Sequence, residues 1–392
     1  MGRNLCFPLV IVALFLVVAT TSTANGTYNV ESYGARPDGR TDSTGGFLKA
    51  WDVVCRLNRA ATIHVPQGNF LLRNVFFQGE TCKNTRGITF QISGTLLAPS
   101  DYNVIGHSET WIKFNRVNNV SIVGGTLDAQ GSALWDCKNS GESGCPNGAT
   151  TLGFYNSDNV EITGLTSQNS QRFHIVIYGT RKAMLQGIKI SAPEDSPNTD
   201  GIHVQSSTQV TILNSFIGTG DDCVSIGPGT TYLWIDGIAC GPGHGISIGS
   251  LGWAMQEAGV ENVKVKNVQF TGTENGVRIK TWARASNGFV KNVLFQRATM
   301  VDVRNPIIID QNYCPHNQAN CPHQASGVNI TGVTFRDIRG TSATQVAVAL
   351  QCSSSRPCRG ITVDEVKLTY NGNPAQASCV NSGTCPRLFH RT

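Results

Sequence analysis

Charge is scarce in this sequence, and the charges that it has are dispersed. Asp, Glu, Lys and Arg make up 15% of the 392 residues, whereas a typical soluble domain has about 25%. The formal net charge is only +5, and no basic run of the kind that binds nucleic acid is present. The sequence therefore predicts no nucleic-acid partner, although a mildly basic protein is compatible with an acidic polymer.

Long apolar runs are also scarce, since only residues 5–19 form one. This run follows Arg3 and precedes small residues that suit a cleavage site, which is typical of a secretory signal peptide over residues 1–24. An uncleaved membrane anchor is the alternative, but the run is short for the ~20 residues of a spanning helix. We expect a secreted, extracellular protein without a membrane segment after cleavage, built as a single domain over residues 25–392.

The cysteines lack the spacing of a zinc site, because no Cys-x2-Cys pair occurs. Cys6 lies in the signal, and the 12 others are an even number in an oxidising compartment, which favours disulfides. Several cysteines lie close in sequence and suggest local pairing, although sequence alone does not fix it: Cys137 and Cys145, Cys314 and Cys321, Cys352 and Cys358, Cys379 and Cys385. Export also makes three sequons candidates for glycosylation, at Asn25, Asn119 and Asn329.

Helical periodicity is rare, and one stretch carries it. We predict a helix over residues 43–58 that is capped by Thr44 or Ser43 and closes one end of the fold. Its apolar residues recur at helical spacing: Phe47, Leu48, Trp51, Val54 and Cys55.

Short β-branched runs between Gly, Asn and Asp fill the rest of the chain, and they form two alternating sets. The first set comprises residues 118–127, 158–166, 207–216, 231–240, 260–270, 290–300 and 327–338. The second set comprises residues 173–179, 201–206, 223–229, 245–250, 276–281, 306–311 and 346–352. Glycine, at 42 residues, exceeds its usual ~7% and is consistent with frequent tight turns.

The repeat is short where it is most regular. Ile202, Val224 and Ile246 follow one another at intervals of 22 residues, and later repeats take about 30 to 40. A propeller blade needs four strands and about 40 residues, whereas 22 residues fit one turn of a parallel β-helix. We therefore predict an all-β fold, a right-handed parallel β-helix of about ten coils with a short N-terminal capping helix.

Stacked coils would align polar residues that are distant in sequence, about 4.8 Å apart per coil. One groove would then hold Asp200, Asp221, Asp222, His244, Arg278, Lys280 and Tyr313. Adjacent carboxylates push their pKa values apart, so that one acid stays protonated beside an ionised base. Hydrolysis of a glycosidic bond needs such a pair.

Arg278 and Lys280 are two positions apart on a strand, so they share one face. They can balance the carboxylates or bind an anionic sugar, with the Arg fork suited to a carboxylate. Considered alone, Asp200 is typical of a turn residue. Asp221 and Asp222 considered alone are typical of a loop pair or of half a calcium site. The coincidence of all of them in one groove favours catalysis.

The segments "SPNTDGIHV", "GTGDDCVSIGPG", "CGPGHGISIGSLG" and "NGVRIKT" resemble the four signature segments of the polygalacturonases, glycoside hydrolase family 28. The opening "YNVESYGARPDGRTDSTGGFLKAW" and the later "NPIIIDQNYC" are also similar to that family. The resemblance extends from about Tyr28 to the last cysteines, and it is greatest to plant members that loosen cell walls during cell separation.

The resemblance implies a role for each residue of the groove. Asp221 would be the general acid, while Asp200 and Asp222 would hold and activate the water. Asn198 would support the site, and His244 would orient and tune the acid.

The resemblance also implies how substrate is bound and how the site is braced. Arg278 and Lys280 would bind the galacturonate carboxylate, and Tyr313 would contact the sugar. The family reaction is inverting and uses no metal or cofactor, which calls for acid and base carboxyls roughly 6.5–9.5 Å apart. A disulfide between Cys223 and Cys240 would fasten the loop that joins two catalytic coils.

The expected function is hydrolysis of unbranched homogalacturonan in pectin by a monomeric plant cell-wall enzyme. The resemblance favours endo action, with exo action as the alternative if the insertions at 136–148 or 313–325 close one end of the groove. Other classes are a calcium-dependent lyase, which needs more acidic residues, and a non-catalytic wall-binding solenoid, which would lack a carboxylate. A hydrolase of branched rhamnogalacturonan is disfavoured by the Arg278 and Lys280 pair.

Overall fold

The computed structural model of the chain describes Gly2 and residues 26–82, 86–141, 143–315 and 321–388. The predicted signal peptide, apart from Gly2, and the sequon at Asn25 lie outside the described residues. Among the described residues, none of the helices has the length and apolar content that a membrane span requires.

Thirty strands in the described residues form two large sheets that are almost wholly parallel. The first sheet contains β1 (Gly26–Asn29), β2 (Asp38–Asp42), β3 (Ala61–Val65), β4 (Asn69–Leu71), β6 (Ile88–Ile92), β7 (Thr95–Leu97), β9 (Asn118–Val123), β10 (Thr126–Asp128), β12 (Asp158–Thr163), β13 (Thr166–Gln168), β15 (Arg181–Gln186), β16 (Lys189–Ser191), β18 (Thr208–Gly218), β20 (Thr231–Cys240), β22 (Val260–Thr271), β24 (Phe289–Val303), β26 (Asn329–Ser342), β28 (Arg359–Tyr370) and β29 (Asn373–Pro374). The second sheet contains β5 (Val75–Gln78), β8 (Thr110–Asn115), β11 (Thr150–Tyr155), β14 (Ile175–Tyr178), β17 (Ile202–Gln205), β19 (Val224–Ile226), β21 (Ile246–Leu251), β23 (Asn275–Trp282), β25 (Asn305–Tyr313), β27 (Val346–Gln351) and β30 (Gln376–Val380). The helices are α1 (Thr44–Cys55), α2 (Asn103–Gly106) and α3 (Ser132–Asn139), with 3₁₀ turns at Val30–Tyr33 and Gly79–Thr81.

The chain winds as a parallel β-helix, and its hand is the right-handed one that parallel crossovers adopt. Within the described residues, each predicted stretch of the first set lies on strands of the first sheet, and each of the second set lies on a strand of the second sheet. The second sheet takes one strand from each coil and has eleven strands, close to the ten coils predicted. The sequence prediction of the fold is therefore confirmed.

The strand register confirms the 22-residue repeat. Ile202 pairs with Val224, and Val224 pairs with Ile246. The next partners are Val277 and Ile307, so the later coils are longer, as predicted. The segments that the sequence predicts to be catalytic thus lie on adjacent coils of the solenoid.

An apolar ladder runs through the interior along the second sheet, with one inward residue on each strand from β5 to β27. Because strand residues alternate between faces, the register keeps this row inside from end to end. Its members are Phe77, Phe114, Phe154, Ile177, Val204, Ile226, Ile248, Ile279, Ile309 and Leu350. All of them are buried, and this row contributes to the apolar burial that stabilises a solenoid.

Helix α1 covers the N-terminal end of this ladder, as predicted, but it is shorter than the predicted 43–58. Trp51 on α1 is buried and lies 5.1 Å, between ring centroids, from Phe77. Ser43 lies at the N-cap position but its hydroxyl makes no capping bond, because it accepts the Arg36 N–H at 2.9 Å. Asp42 accepts the Thr44 N–H instead, at 2.9 Å.

Six disulfides connect the described cysteines, and the local pairs suggested by the sequence are all present. Cys223 is bonded to Cys240, as the resemblance implied, and Cys55 to Cys82. Asn119 and Asn329 are exposed, and their glycosylation stays a prediction.

Candidate active site

Three successive turns of the coil carry the predicted carboxylates and histidine. Asp200 lies just before β17, Asp221 and Asp222 before β19, and His244 before β21. The Gly201 N–H donates to the Asp222 carbonyl at 2.9 Å, and the His244 N–H donates to the Asp221 carbonyl at 2.8 Å. These backbone bonds stack the turns and fix the side chains relative to one another.

Glycine is required at two of these turns. Gly245 has φ +85°, and a Cβ there would lie 2.1 Å from the carbonyl oxygen of Asn275. A Cβ on Gly201 would lie 2.4 Å from the side chain of Ile217. The glycines that follow Asp200 and His244 in the sequence therefore serve the close approach of neighbouring coils.

The turns open onto a cavity of about 900 Å³ on the outer face of the second sheet. Every residue that the sequence placed in the groove lines this cavity: Asn198, Asp200, Asp221, Asp222, His244, Arg278, Lys280 and Tyr313. Asn198 takes the left-handed conformation with φ +57°, which Asn tolerates better than most residues. The Lys280 ammonium lies 5.2 Å from the centre of the Tyr313 ring.

Asp222 is buried between two cations. Its Oδ1 accepts from Arg278 Nη2 at 2.7 Å and from the Ser247 hydroxyl at 2.7 Å. Its Oδ2 accepts from Lys280 Nζ at 2.9 Å. Burial alone would raise the pKa of Asp222, but the charges of Lys280 and Arg278 outweigh it and lower the pKa to about 2. Asp222 is therefore a permanently ionised carboxylate at any physiological pH.

Asp200 has the opposite electrostatic environment. Burial raises its pKa well above the usual value, and the negative charges of Asp221 and Asp222 raise it further. A hydrogen bond from Ser225 and the charge of Lys280 lower the pKa of Asp200 only in part. The cluster therefore holds one proton on Asp200 beside an ionised Asp222, which is the separation of protonation states expected of an acid and base site.

Asp221 is the most accessible of the three carboxylates. Its side chain is 18% exposed, against 1% for Asp222. Its Oδ1 lies 3.1 Å from Nδ1 of His244, whose Nε2 lies 3.5 Å from Glu274. Burial lowers the pKa of His244, but the hydrogen bond and charge of Asp221 and the charge of Glu274 raise it above its usual value overall. This raised pKa favours the protonated imidazole next to Asp221.

Comparison with known proteins identifies the family. Residues 55–385 match the model of glycosyl hydrolases family 28. The chain belongs to glycosyl hydrolase family 28. It is 57% identical to a polygalacturonase of Prunus persica over 378 residues, which cover 96% of this chain and 95% of the relative. It is 40% identical to an exopolygalacturonase of Platanus acerifolia over 364 residues, 92% of this chain and 95% of that one.

Solved structures share the fold of this family 28 chain. An endo-xylogalacturonan hydrolase of Aspergillus tubingensis superposes with a TM-score of 0.81 at 22% identity, over 91% of this chain and 96% of that one. An exopolygalacturonase of Thermotoga maritima gives a TM-score of 0.75 at 21% identity, over 88% and 87%. Membership of family 28 makes the protein a glycoside hydrolase.

The family 28 site contains residues that the sequence reasoning missed. Ser247 bridges Asp222 and Arg278, since its hydroxyl also accepts from Arg278 Nε at 2.9 Å. His203 lines the same cavity, as does Glu274. Strand register was a signal for His203 and Ser247. Residues at matching positions of adjacent strands face outward together: His203 pairs with Ser225, Ser225 with Ser247, and Ser247 with Arg278.

A metal ion does not suit this family 28 site. Asp221, Asp222 and His244 each offer a donor atom, and these atoms lie within 4.8 Å of one another. Both oxygens of Asp222 already accept from cations, and the raised pKa of His244 opposes the neutral imidazole that metal ligation needs. A divalent cation here would also face the charges of Arg278 and Lys280, so the donor set favours proton transfer over metal binding.

Proposed function

We propose that the protein is a polygalacturonase that hydrolyses the α-1,4 linkages of de-esterified homogalacturonan in pectin, with inversion. One observation carries the proposal: three carboxylates stand in one groove with two buried cations, and the pKa values of two of them, Asp200 and Asp222, are shifted in opposite directions. The carboxylates suit glycosidic hydrolysis, and the cations suit an acidic sugar. The curated relatives named polygalacturonase support the same substrate.

The general acid of the proposed mechanism is Asp221. It is the most exposed of the three carboxylates, and the protonated His244 beside it can supply its proton. Asp221 protonates the glycosidic oxygen as the bond to the anomeric carbon breaks. Water attacks that carbon from the opposite face and passes a proton to the base, so configuration is inverted.

Asp200 and Asp222 position that water, and each has a different task in its activation. Asp222 stays ionised because of its two cations and orients the water. Asp200, with its raised pKa, is the stronger proton acceptor once it has ionised. Activity therefore requires a pH at which Asp200 has lost its proton and His244 has kept its own, which gives a bell-shaped profile of a coupled cluster.

Arg278 and Lys280 face the groove from β23 and bind the galacturonate carboxylate, with Tyr313 and Asn198 beside the sugar. Asp222 uses only part of their donors, since Arg carries five N–H groups and Lys three. Arg278 and Lys280 therefore keep N–H donors with which to bind the carboxylate of the substrate.

We propose endo action, because the second sheet continues past the catalytic turns in both directions. Four of its strands (β5, β8, β11 and β14) precede β17, and four (β23, β25, β27 and β30) follow β21. At ~4.8 Å per coil, this is on the order of 20 Å of surface on each side. Exo action is the alternative, in which the insertions at 136–148 or 313–325 would close one end.

Secretion to the plant cell wall completes the proposal, with residues 1–24 removed and the protein acting as a monomer on pectin. The six disulfides support it, since such bonds persist in oxidising compartments.

The product profile on polygalacturonate tests the function. We expect new reducing ends and a ladder of oligomers for the wild type, unaffected by a chelator, and a loss of about 1,000-fold for Asp221→Asn. Release of galacturonate alone would instead establish exo action. A chelator-sensitive reaction that gives unsaturated products would establish a lyase and overturn the proposal.

Replacing His244 with Ala should lower kcat by about 100-fold, because Asp221 loses its proton donor. The wild-type rate should fall as the pH rises through the raised pKa of His244, and the variant should lack that step. The measurement is kcat against pH, with exposed His107→Ala as the control. An unchanged alkaline limb with an unchanged kcat would show that His244 has no part in the reaction.

A further inference from the structure

Three aromatic rings from successive coils extend the wall of the groove beyond the cavity. Tyr313, at the end of β25, lines the cavity. Trp282, at the end of β23, packs edge-on against it with 5.3 Å between ring centroids. Trp253, in the loop after β21, packs edge-on against Trp282 at 5.0 Å and is 57% exposed. The row thus leads from the site out to an exposed indole.

The loop that carries Trp253 is firmly held. The Glu257 carboxylate accepts the backbone N–H groups of Gly252 and Trp253. The Glu257 N–H in turn donates to the side chain of Asn287, at 2.8 Å. An exposed tryptophan on a braced loop loses little conformational freedom when it binds a ligand, which favours affinity.

A cation accompanies the exposed ring. The guanidinium of Arg284 lies 4.9 Å from the centre of the Trp253 ring. Within the described part of the chain, Arg284 belongs to none of the ion pairs. Its half-buried side chain can therefore receive a carboxylate from outside without breaking an existing pair.

We propose that Trp253 and Arg284 form a subsite that binds one galacturonate unit of the polymer outside the cleavage position. This inference rests on the proposed function. The flat ring packs against the C–H face of the pyranose, and the guanidinium grips the carboxylate of the same unit. Continuity with the groove through Trp282 and Tyr313, together with the unpaired positive charge, identifies the occupant as the substrate chain.

Kinetics on long and short substrates test the subsite. Trp253→Ala and Arg284→Ala should each raise KM on polygalacturonate about 5- to 20-fold with kcat nearly unchanged, because the subsite binds ground state and transition state alike. Trp253→Phe keeps a ring and should restore most of the affinity. On an oligomer too short to reach from the cleavage position to Trp253, all variants should match the wild type.

The matched control is Trp234→Ala. Trp234 lies on β20 in the first sheet, is 45% exposed and has the Lys266 ammonium 5.7 Å from its ring centre. It repeats the chemistry of Trp253 and Arg284 away from the groove, so its removal should leave KM unchanged. Equal effects of Trp234→Ala and Trp253→Ala would overturn the subsite.

Binding measured without turnover separates this inference from the function on which it rests. In the Asp221→Asn background, calorimetry with a long oligogalacturonate should show about 5- to 20-fold weaker binding after Trp253→Ala. Wild-type affinity in that variant would overturn the subsite, whatever the activity. A wild-type protein that binds the oligomer but does not hydrolyse it would overturn the proposed function and leave the subsite standing. Weaker turnover of short oligomers would also overturn the subsite, because the loop would then act on the catalytic turns.

Discussion

Asp222→Asn should remove nearly all activity and also weaken the folded protein. The variant loses the ionised group that orients water, which we expect to lower kcat by at least about 1,000-fold. It also leaves Arg278 and Lys280 buried without their counter-charge, and breaking such a pair costs about 3 kcal/mol. Urea unfolding near neutral pH, beside kcat on polygalacturonate, measures both effects.

The pH dependence of stability is a second test of the ionised state of Asp222. Folding lowers the pKa of Asp222 from 3.8 to about 2. The contribution of its ionised form to the free energy of unfolding is therefore complete above about pH 4 and is lost as the pH falls toward 2. Wild type and Asp222→Asn should therefore converge in stability over that window. Asp364→Asn is the control, since Asp364 pairs with Arg336 at the surface, with half of its side chain exposed. A variant as stable as the wild type at neutral pH would show that the two cations do not depend on Asp222.

Asp200→Asn should also remove nearly all activity, yet it should make the protein more stable at neutral pH. The raised pKa of Asp200 means that folding favours its protonated form, so its ionisation opposes folding. The stabilising effect of the bound proton is complete below the unfolded pKa and is lost as the pH rises through the folded pKa. Asn resembles the protonated acid at every pH, so the variant avoids that loss.

Unfolding of wild type and Asp200→Asn near pH 4 and near pH 7 measures this difference. The two proteins should be similar at the lower pH and should separate at the higher one, with the variant more stable. A variant that is less stable at both values would mean that Asp200 is held as an ionised partner, and its role as the base with a raised pKa would fail.

Much of the architecture could be predicted from the sequence, because a solenoid repeats the same strands on every coil. The intervals from Ile202 to Val224 and Ile246 give the coil, and stacking the coils collects the groove residues. The resemblance of the turn segments to family 28 supplied the roles of these residues, and those roles stay predictions.

The remaining features depend on contacts that no local pattern encodes. The Ser247 bridge and the Glu274 contact to His244 arise from register and loop packing across 25 to 31 residues of sequence. Helix α1 begins with a bond to Asp42 because Arg36 occupies the Ser43 hydroxyl, a tertiary contact. No sequence pattern predicted the role proposed for Trp253, because its partners Trp282 and Arg284 belong to the next coil.

The coils that carry the proposed catalytic turns are short, and this limits where residues can be inserted. From Ile202 to Ile246 each coil is a minimal 22 residues, so an extra residue there would be forced into the interior or into the site. The coil from Ile307 to Val348 has already absorbed additional chain without disturbing the register. New substrate preferences can therefore evolve, or be engineered, by exchanging loops on the longer coils while the reaction chemistry is left untouched.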